Sequence, residues 1–258
     1  MRAIRLSDRL LLAGQTGKGK TTLMQFIVDA LQPVRTIVFD PKGMQQLGVI
    51  PCRTPDQLEH RIRRGDPLLH YIPASFERDQ LEEACRIVWN TPGPYIWVVD
   101  DVNELTGPNY CPAGLRLGVT QGREPRKMII ALTQRLAECH PVFRSQSEHL
   151  IIFTPAPVEL DLKAIAGNVG YEWRALDAEL RSLHEEQGDY SHLWYVRDTH
   201  ELRRCAPIEL GASPGAPGRA AETPGESGLP TGAPAGGAAE SAPCEESDSG
   251  SGRSSRSP

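Results

Sequence analysis

Short apolar runs alternate with amphipathic stretches from Leu10 to about Val196, and no fixed-period repeat interrupts them. The runs cover 10–13, 36–39, 68–72, 95–99, 128–132 and 150–153. Each is four or five residues long, rich in Ile, Val and Leu, and without polar alternation. Such runs are what strands buried on both faces look like. Between them the spacing turns helical: Leu23, Phe26, Ile27, Ala30 and Leu31 fall at i, i+3, i+4, i+7 and i+8, and Leu81, Ala84, Cys85 and Val88 repeat the pattern. Thr54-Pro55-Asp56-Gln57 reads as a helix start, with Thr54 as N-cap, Pro55 in the first turn and Gln57 reaching back. Two further helices are expected over 158–169 and 172–186, then a last strand over 192–197 that extends the sheet at an edge. Strand alternating with helix predicts an α/β fold, a three-layer sandwich around a mainly parallel sheet.

Composition ends the folded unit near residue 210. Residues 211–258 hold 10 Gly, 9 Ala, 9 Ser and 7 Pro, and Leu229 is the single Val, Ile, Leu, Phe, Trp or Tyr among them. So little apolar surface cannot offset the entropy of ordering the chain, so 1–210 is expected to form one domain and 211–258 a disordered acidic tail. The tail holds six acidic and three basic residues, which leaves −2 of the chain's −5 on the body. That balance argues against a whole basic face laid on nucleic acid, though not against a local basic ring. The six cysteines show neither C-x-x-C pairs nor zinc spacing and read as reduced, mostly buried thiols. The seven histidines show no paired spacing and are given no ligand role. With no leader pattern and no apolar run long enough to cross a bilayer, a soluble cytoplasmic protein is expected.

The chemistry concentrates where a strand meets a helix. Gly14-Gln15-Thr16-Gly17-Lys18-Gly19-Lys20-Thr21, followed by Thr22, satisfies G-x-x-x-x-G-K-[ST] between an apolar run and an amphipathic stretch. Glycines let backbone N–H groups wrap a phosphate, and the helix start adds positive potential. Lys20 can bridge the β- and γ-phosphates of ATP, and the Thr21 hydroxyl can ligate Mg²⁺. The 95–99 run ends in Asp100-Asp101, where open α/β sheets place their ligand crevice. Asp100 is assigned to the Mg²⁺ shell through water and Asp101 to polarising the attacking water, against the alternative of helix caps or solvated loop acids. Glu104 competes for the second role. The 128–132 run closes in Thr133-Gln134-Arg135, and the Gln134 amide can bond both a γ-phosphate and the attacking water, or simply end a strand.

Taken together, the phosphate loop, Phe39-Asp40-Pro41-Lys42-Gly43, Val98-Val99-Asp100-Asp101 and Ala131-Leu132-Thr133-Gln134-Arg135 resemble the FtsK–HerA superfamily of DNA-pumping ATPases. The chain is most similar to the short genome-packaging ATPases of tailless, membrane-containing viruses, over about residues 8–155. The resemblance implies that the Gln134 strand lies between the phosphate-loop strand and the Asp100 strand. It also implies a ring, usually hexameric, that threads double-stranded DNA with ATP at subunit interfaces, and a place in the host cytoplasm or the virion. Capsid or membrane-vertex proteins are further partners it suggests. The family's acid pair is usually Asp-Glu, from which Asp101 departs. A ring ATPase needs a cation from the neighbouring subunit. Arg123, in Gln-Gly-Arg-Glu, sits where related ATPases carry a finger, and Arg144 is the other candidate; each also reads as a solvated or DNA-facing arginine. Arg61, Arg63 and Arg64 read as a solvated helix end, with pore-facing phosphate contact as the alternative. Three functions compete: a DNA translocase for packaging or another DNA transfer or export, a monomeric P-loop kinase with 107–122 as its lid, and an ATP-bound assembly module.

Overall fold

The computed structural model describes residues 3–32, 34–123, 125–155 and 158–208. The expected tail at 211–258, with Cys244 in it, lies outside the described residues. In chain order the elements are β1 (Arg9–Ala13), α1 (Lys20–Ala30), β2 (Arg35–Phe39), α2 (Pro55–Arg64), β3 (Leu68–Tyr71), α3 (Arg78–Asn90), β4 (Tyr95–Val99), α4 (Val102–Leu105), α5 (Ala113–Gln121), β5 (Lys127–Thr133), α6 (Pro141–Gln146), β6 (His149–Ile152), α7 (Glu159–Val169), α8 (Trp173–Gln187), β7 (His192–Val196) and β8 (Glu201–Cys205).

All six apolar runs are strands, and they pair in parallel in the order β3-β2-β4-β5-β1-β6. The Gln134 strand β5 therefore lies between the phosphate-loop strand β1 and the Asp100 strand β4, as the resemblance implied. The uniform apolar character of the runs follows from burial on both faces. Leu11, Ile37, Trp97 and Ile129 face one cluster, which α2, α3, α5, α7 and α8 complete. Leu10, Leu12, Val38, Val98 and Ile130 face the other, where among the described helices only α1 packs, helped by Ile4, Leu6, Leu47 and Ile208. The architecture is a three-layer α/β sandwich with one thick and one thin helical layer.

Two expectations need correction. The strand over 192–197 is not the edge: β7 runs antiparallel to β6, and a hairpin brings β8 outside it. β8 escapes the hydrophobic pattern because its sequence, ELRRC, is half exposed and mostly polar. The 107–122 segment is not a free lid either, because most of it is α5, whose Leu115 and Val119 are fully buried. Its glycines hide a helix from a propensity reading but allow close packing. A Cβ on Gly114 would lie 2.3 Å from the Cys85 carbonyl oxygen of α3, and one on Gly118 would lie 2.8 Å from Ile129 Cδ1.

The start of α2 matches its reading, with the Gln57 N–H donating to Thr54 Oγ1 at 3.3 Å. Gln57 reaches one residue further back than a capping box requires, its Oε1 accepting from the Arg53 N–H at 2.8 Å. Cys52, Cys85 and Cys139 are buried, whereas Cys111 and Cys205 are half-buried. Among the described residues no helix is long and apolar enough to cross a membrane.

Candidate nucleotide-binding and hydrolysis site

The loop between β1 and α1 is held by both neighbouring strands. The Gly14 N–H donates to the Thr133 carbonyl at 3.1 Å and the Gln15 N–H to the Thr154 carbonyl at 2.8 Å. Gly17 and Gly19 have φ of 78° and 96°, which L side chains rarely adopt, so the loop curls and points its N–H groups inward. Lys20 Nζ folds back to the Gly14 and Gln15 carbonyls at 2.7 and 2.8 Å, which keeps a largely buried ammonium satisfied. Burial lowers the pKa of Lys20, partly opposed by Asp100 and Asp101, and a phosphate entering the loop would supply the counter-charge that this burial lacks. Lys18 turns away to Asp189 at 3.0 Å, so it joins the loop to the turn before β7.

A cleft of about 610 Å³ opens over the carboxyl ends of β1, β4 and β5. Loop residues 16, 17 and 19–22 line one wall, and Asp40, Lys42, Gln45, Asp100, Asp101 and Gln134 line the other. Asp100 accepts from Gln45 Nε2, and burial raises its pKa despite that bond. Asp101 stands at φ 52°, ψ 67°, where a non-glycine residue is strained, and this turn aims its carboxylate across the cleft. Its Oδ2 accepts from Gln134 Nε2 at 3.0 Å and from Lys42 Nζ. Lys42 also reaches Glu104 at 3.2 Å, and bonding to Asp101 raises its pKa. Asp101 is 8% exposed, whereas the Glu104 side chain is 45% exposed. Sequence reasoning thus brought Asp100, Asp101, Gln134 and the loop to one place.

It missed the scaffold behind them. Asp40, fully buried, accepts from the Met44 and Gln45 N–H groups at 3.1 and 2.8 Å and lies 3.0 Å from His70 Nε2, fixing the turn that carries Lys42 and Gln45. The signal was Asp-Pro-Lys-Gly after a strand, a turn sequence whose partner on β3 only the fold reveals. Tyr190, another lining residue, carried no pattern at all. Arg135 continues the scaffold: its Nε donates to the buried Asp161 of α7 at 3.0 Å, and its carbonyl accepts from Asn103 at 3.0 Å.

Neither candidate finger enters this cleft. Arg123 donates to Glu148, which also takes the buried Arg9, so it sits at the amino ends of β1 and β6, the opposite end of the parallel strands from the loop. The Arg144 carbonyl accepts from Arg197 at 2.6 Å, and its own buried Nε has no hydrogen-bond partner among the described residues. Arg61 and Arg64 pair with Asp66, and Arg63 with Glu59; Arg63 and Arg64 are exposed, whereas Arg61 is half-buried and also donates to the Ile50 carbonyl.

A glycine loop between strand and helix, with a retracted lysine and two acids across a cleft at the strand ends, has one counterpart among α/β folds. The fold is that of a P-loop NTPase. No protein-family model matches the sequence, and none of the curated proteins does. Solved structures do match. The genome-packaging NTPase B204 from Sulfolobus turreted icosahedral virus 2, in complex with AMPPCP, superposes with a TM-score of 0.64 at 15% identity, over 80% of this chain and 100% of that one. The DNA-packaging ATPase B204 from Sulfolobus turreted icosahedral virus gives 0.60 at 15% identity, over 80% and 100%. VirB4 of Thermoanaerobacter pseudethanolicus gives 0.57 at 11% identity, over 82% and 92%. Two of these three neighbours are packaging NTPases, the kind of protein the motifs resemble. At such identities the likeness carries the fold, and the chemistry is argued from the residues of this chain.

Proposed function

We propose that this chain is an ATP-hydrolysing DNA translocase of FtsK–HerA type, a genome-packaging motor that pumps double-stranded DNA into a viral capsid. The observation that carries the proposal is the Gln134–Asp101 hydrogen bond at the mouth of the phosphate loop. It couples an amide that can sense a γ-phosphate to the carboxylate best placed to orient water.

In this reading the N–H groups of residues 14–22 hold the phosphates, and Lys20 leaves the Gly14 and Gln15 carbonyls to bridge the β- and γ-phosphates. A Mg²⁺ ion would neutralise phosphate charge. The Thr21 hydroxyl and, through water, Asp100 would hold it; hard oxygen donors suit that ion, and Gln45 keeps the Asp100 carboxylate aimed. Among the described residues no cluster of three or more acidic, histidine or cysteine side chains forms a closed metal cage, so the remaining ligands would come from phosphate and water. Asp101 polarises the attacking water, and Glu104, more exposed and with its carboxylate paired to Lys42, is secondary. Lys42 holds both acids and must release Asp101 for it to act.

A cation must then come from a neighbouring subunit. Arg123 is favoured over Arg144, because its guanidinium is 59% exposed at an end of the sheet that a ring could present to the next cleft. The motor reading assigns ATP and Mg²⁺ as cofactors, duplex DNA as substrate and a hexamer as the working state. It keeps 1–210 as the ATPase domain and 211–258 as a tail for solubility or capsid docking, in the host cytoplasm or the virion.

The test is ATP turnover and molecular mass, each with and without long duplex DNA. A ring with DNA-stimulated turnover is expected; a monomer indifferent to DNA would return the chain to the kinase reading, which the packing of α5 against α3 disfavours.

A further inference from the structure

One short stretch of chain holds both acids of the cleft. Gln45 donates to Asp100, and Lys42 donates to Asp101 and reaches Glu104. Residues 41–50, which carry these two donors, form no helix or strand, and Met44 between them is 75% exposed. Neither a backbone ladder nor packing alone therefore sets where Lys42 and Gln45 stand. Their place is set by Asp40, just past the end of β2, whose carboxylate takes the Met44 and Gln45 N–H groups and whose carbonyl takes the Gly43 N–H at 3.1 Å.

Asp40 is fully buried, and a carboxylate there needs more than two amide donors to offset its lost hydration. His70 Nε2, at 3.0 Å, supplies the third, since against a carboxylate the ring nitrogen donates. His70 is itself 3% exposed and is fixed by β3, where it pairs in register with Val38 of β2 and its carbonyl accepts from the Cys52 N–H at 2.7 Å. The imidazole is thus anchored in the sheet, whereas the turn it steadies is not. Asp40 also lies near enough to Asp100 for its charge to raise the Asp100 pKa, so a displaced Asp40 would alter the field at Asp100 as well as the aim of Gln45.

We infer that His70 is a positioning residue for both acids at once: through the Asp40 carboxylate it fixes the turn over 40–45, and through Gln45 and Lys42 that turn sets Asp100 and Asp101. The inference rests on the ATP-hydrolysis reading above and ties the two acids to one buried anchor on β3, outside the phosphate loop and the strands that carry the acids.

ATP turnover and calorimetric ATP affinity of the full chain in Mg²⁺, with the urea midpoint as a control on folding, test it. His70→Gln brings an amide nitrogen to about the place of Nε2 and should keep kcat within about threefold of the parent chain. His70→Asn is one methylene shorter and falls short of Asp40, so it should lower kcat about tenfold or more while ATP affinity shifts by less than about threefold. Added to a chain that already carries Lys42→Met and Gln45→Leu, His70→Asn should lower kcat by less than about twofold further, because the route from Asp40 to the acids is gone. A tenfold loss that persists in that background would overturn the inference, as would equal losses in His70→Asn and His70→Gln or a parent-like kcat in His70→Asn. If His70→Asn does not fold, the isosteric Asp40→Asn takes its place and must show the same loss and the same cancellation. A parent chain that binds ATP without turning it over would overturn the hydrolysis reading itself, and this inference with it.

Discussion

Lys20 and Asp101 are both strained or desolvated, and in each the strain has a use. Lys20 holds a positive charge in a largely buried place with only two carbonyls for partners, so it gains most from an anion. Lys20→Ala should therefore lower ATP affinity at least about tenfold, read by calorimetry, with little change in the urea midpoint. Asp101 pays for a left-handed backbone to aim its carboxylate at Gln134 and the cleft. Asp101→Asn should lower kcat about 100-fold or more while ATP affinity stays within about threefold, and Glu104→Gln should retain more than about half of kcat. The reverse ranking in steady-state kinetics would transfer the water-polarising role to Glu104. Asp100 and Asp101 were legible in sequence because two acids ended a buried apolar run; Lys42 as the restraint on Asp101 was not, because the two lie about sixty residues apart in the chain.

Elements here are positioned by a few close contacts as well as by caps such as Thr54. Gly114 lets α5 settle on α3, where a methyl group would meet the backbone of Cys85. Gly114→Ala should cost about 2–4 kcal/mol in chemical unfolding, since backbone cannot give way as a flexible side chain can. Glu148 is a second such contact, taking the buried Arg9 and the exposed Arg123 at the amino ends of β1 and β6. Burial raises its pKa, but the two guanidiniums outweigh that and hold it below the usual carboxylate range. Glu148→Ala leaves the Arg9 charge buried without its carboxylate and should cost about 3–5 kcal/mol. Arg123→Ala should cost less than about 1 kcal/mol, its partner being kept by Arg9. A DNA-stimulated ATPase that collapses in Arg123→Ala while stability holds would identify the neighbour's cation. Sequence periodicity found the strands because burial on both faces forces continuous apolar runs. It missed α5 and β8 because glycines there serve packing and polar residues serve an edge.

Among the described residues, burial lowers the pKa of both His140 and His192, and His192 is the more strongly shifted pH-sensitive liability. His192 titrates near its ordinary 6.5 when unfolded but at about 4 when folded. Between those values the unfolded chain binds the proton more readily, so stability is complete above about pH 6.5 and falls as pH drops toward 4, by about 3 kcal/mol in all. Urea unfolding at pH 7 and pH 4.5 should show this loss, and His192→Phe should flatten it. The whole-chain charge of −5 suits neither a histone-like coat nor a basic arm. A ring that grips phosphate only at its pore needs few basic side chains per subunit, so a near-neutral body is compatible with a DNA motor.

By itself the sequence determined the α/β class, the parallel strands, the phosphate loop and the acids at the strand ends. Each is set by local rules: burial dictates composition, and a phosphate cradle dictates glycines at fixed spacing. Only the tertiary structure decided which side chains meet. It paired Gln134 and Lys42 with Asp101, tied Arg123 to Glu148 far from its own cleft, and joined Lys18 of the phosphate loop to Asp189. Those contacts join residues up to some 170 positions apart, and no periodicity or spacing along a chain encodes the distance between strands that pairing brings together.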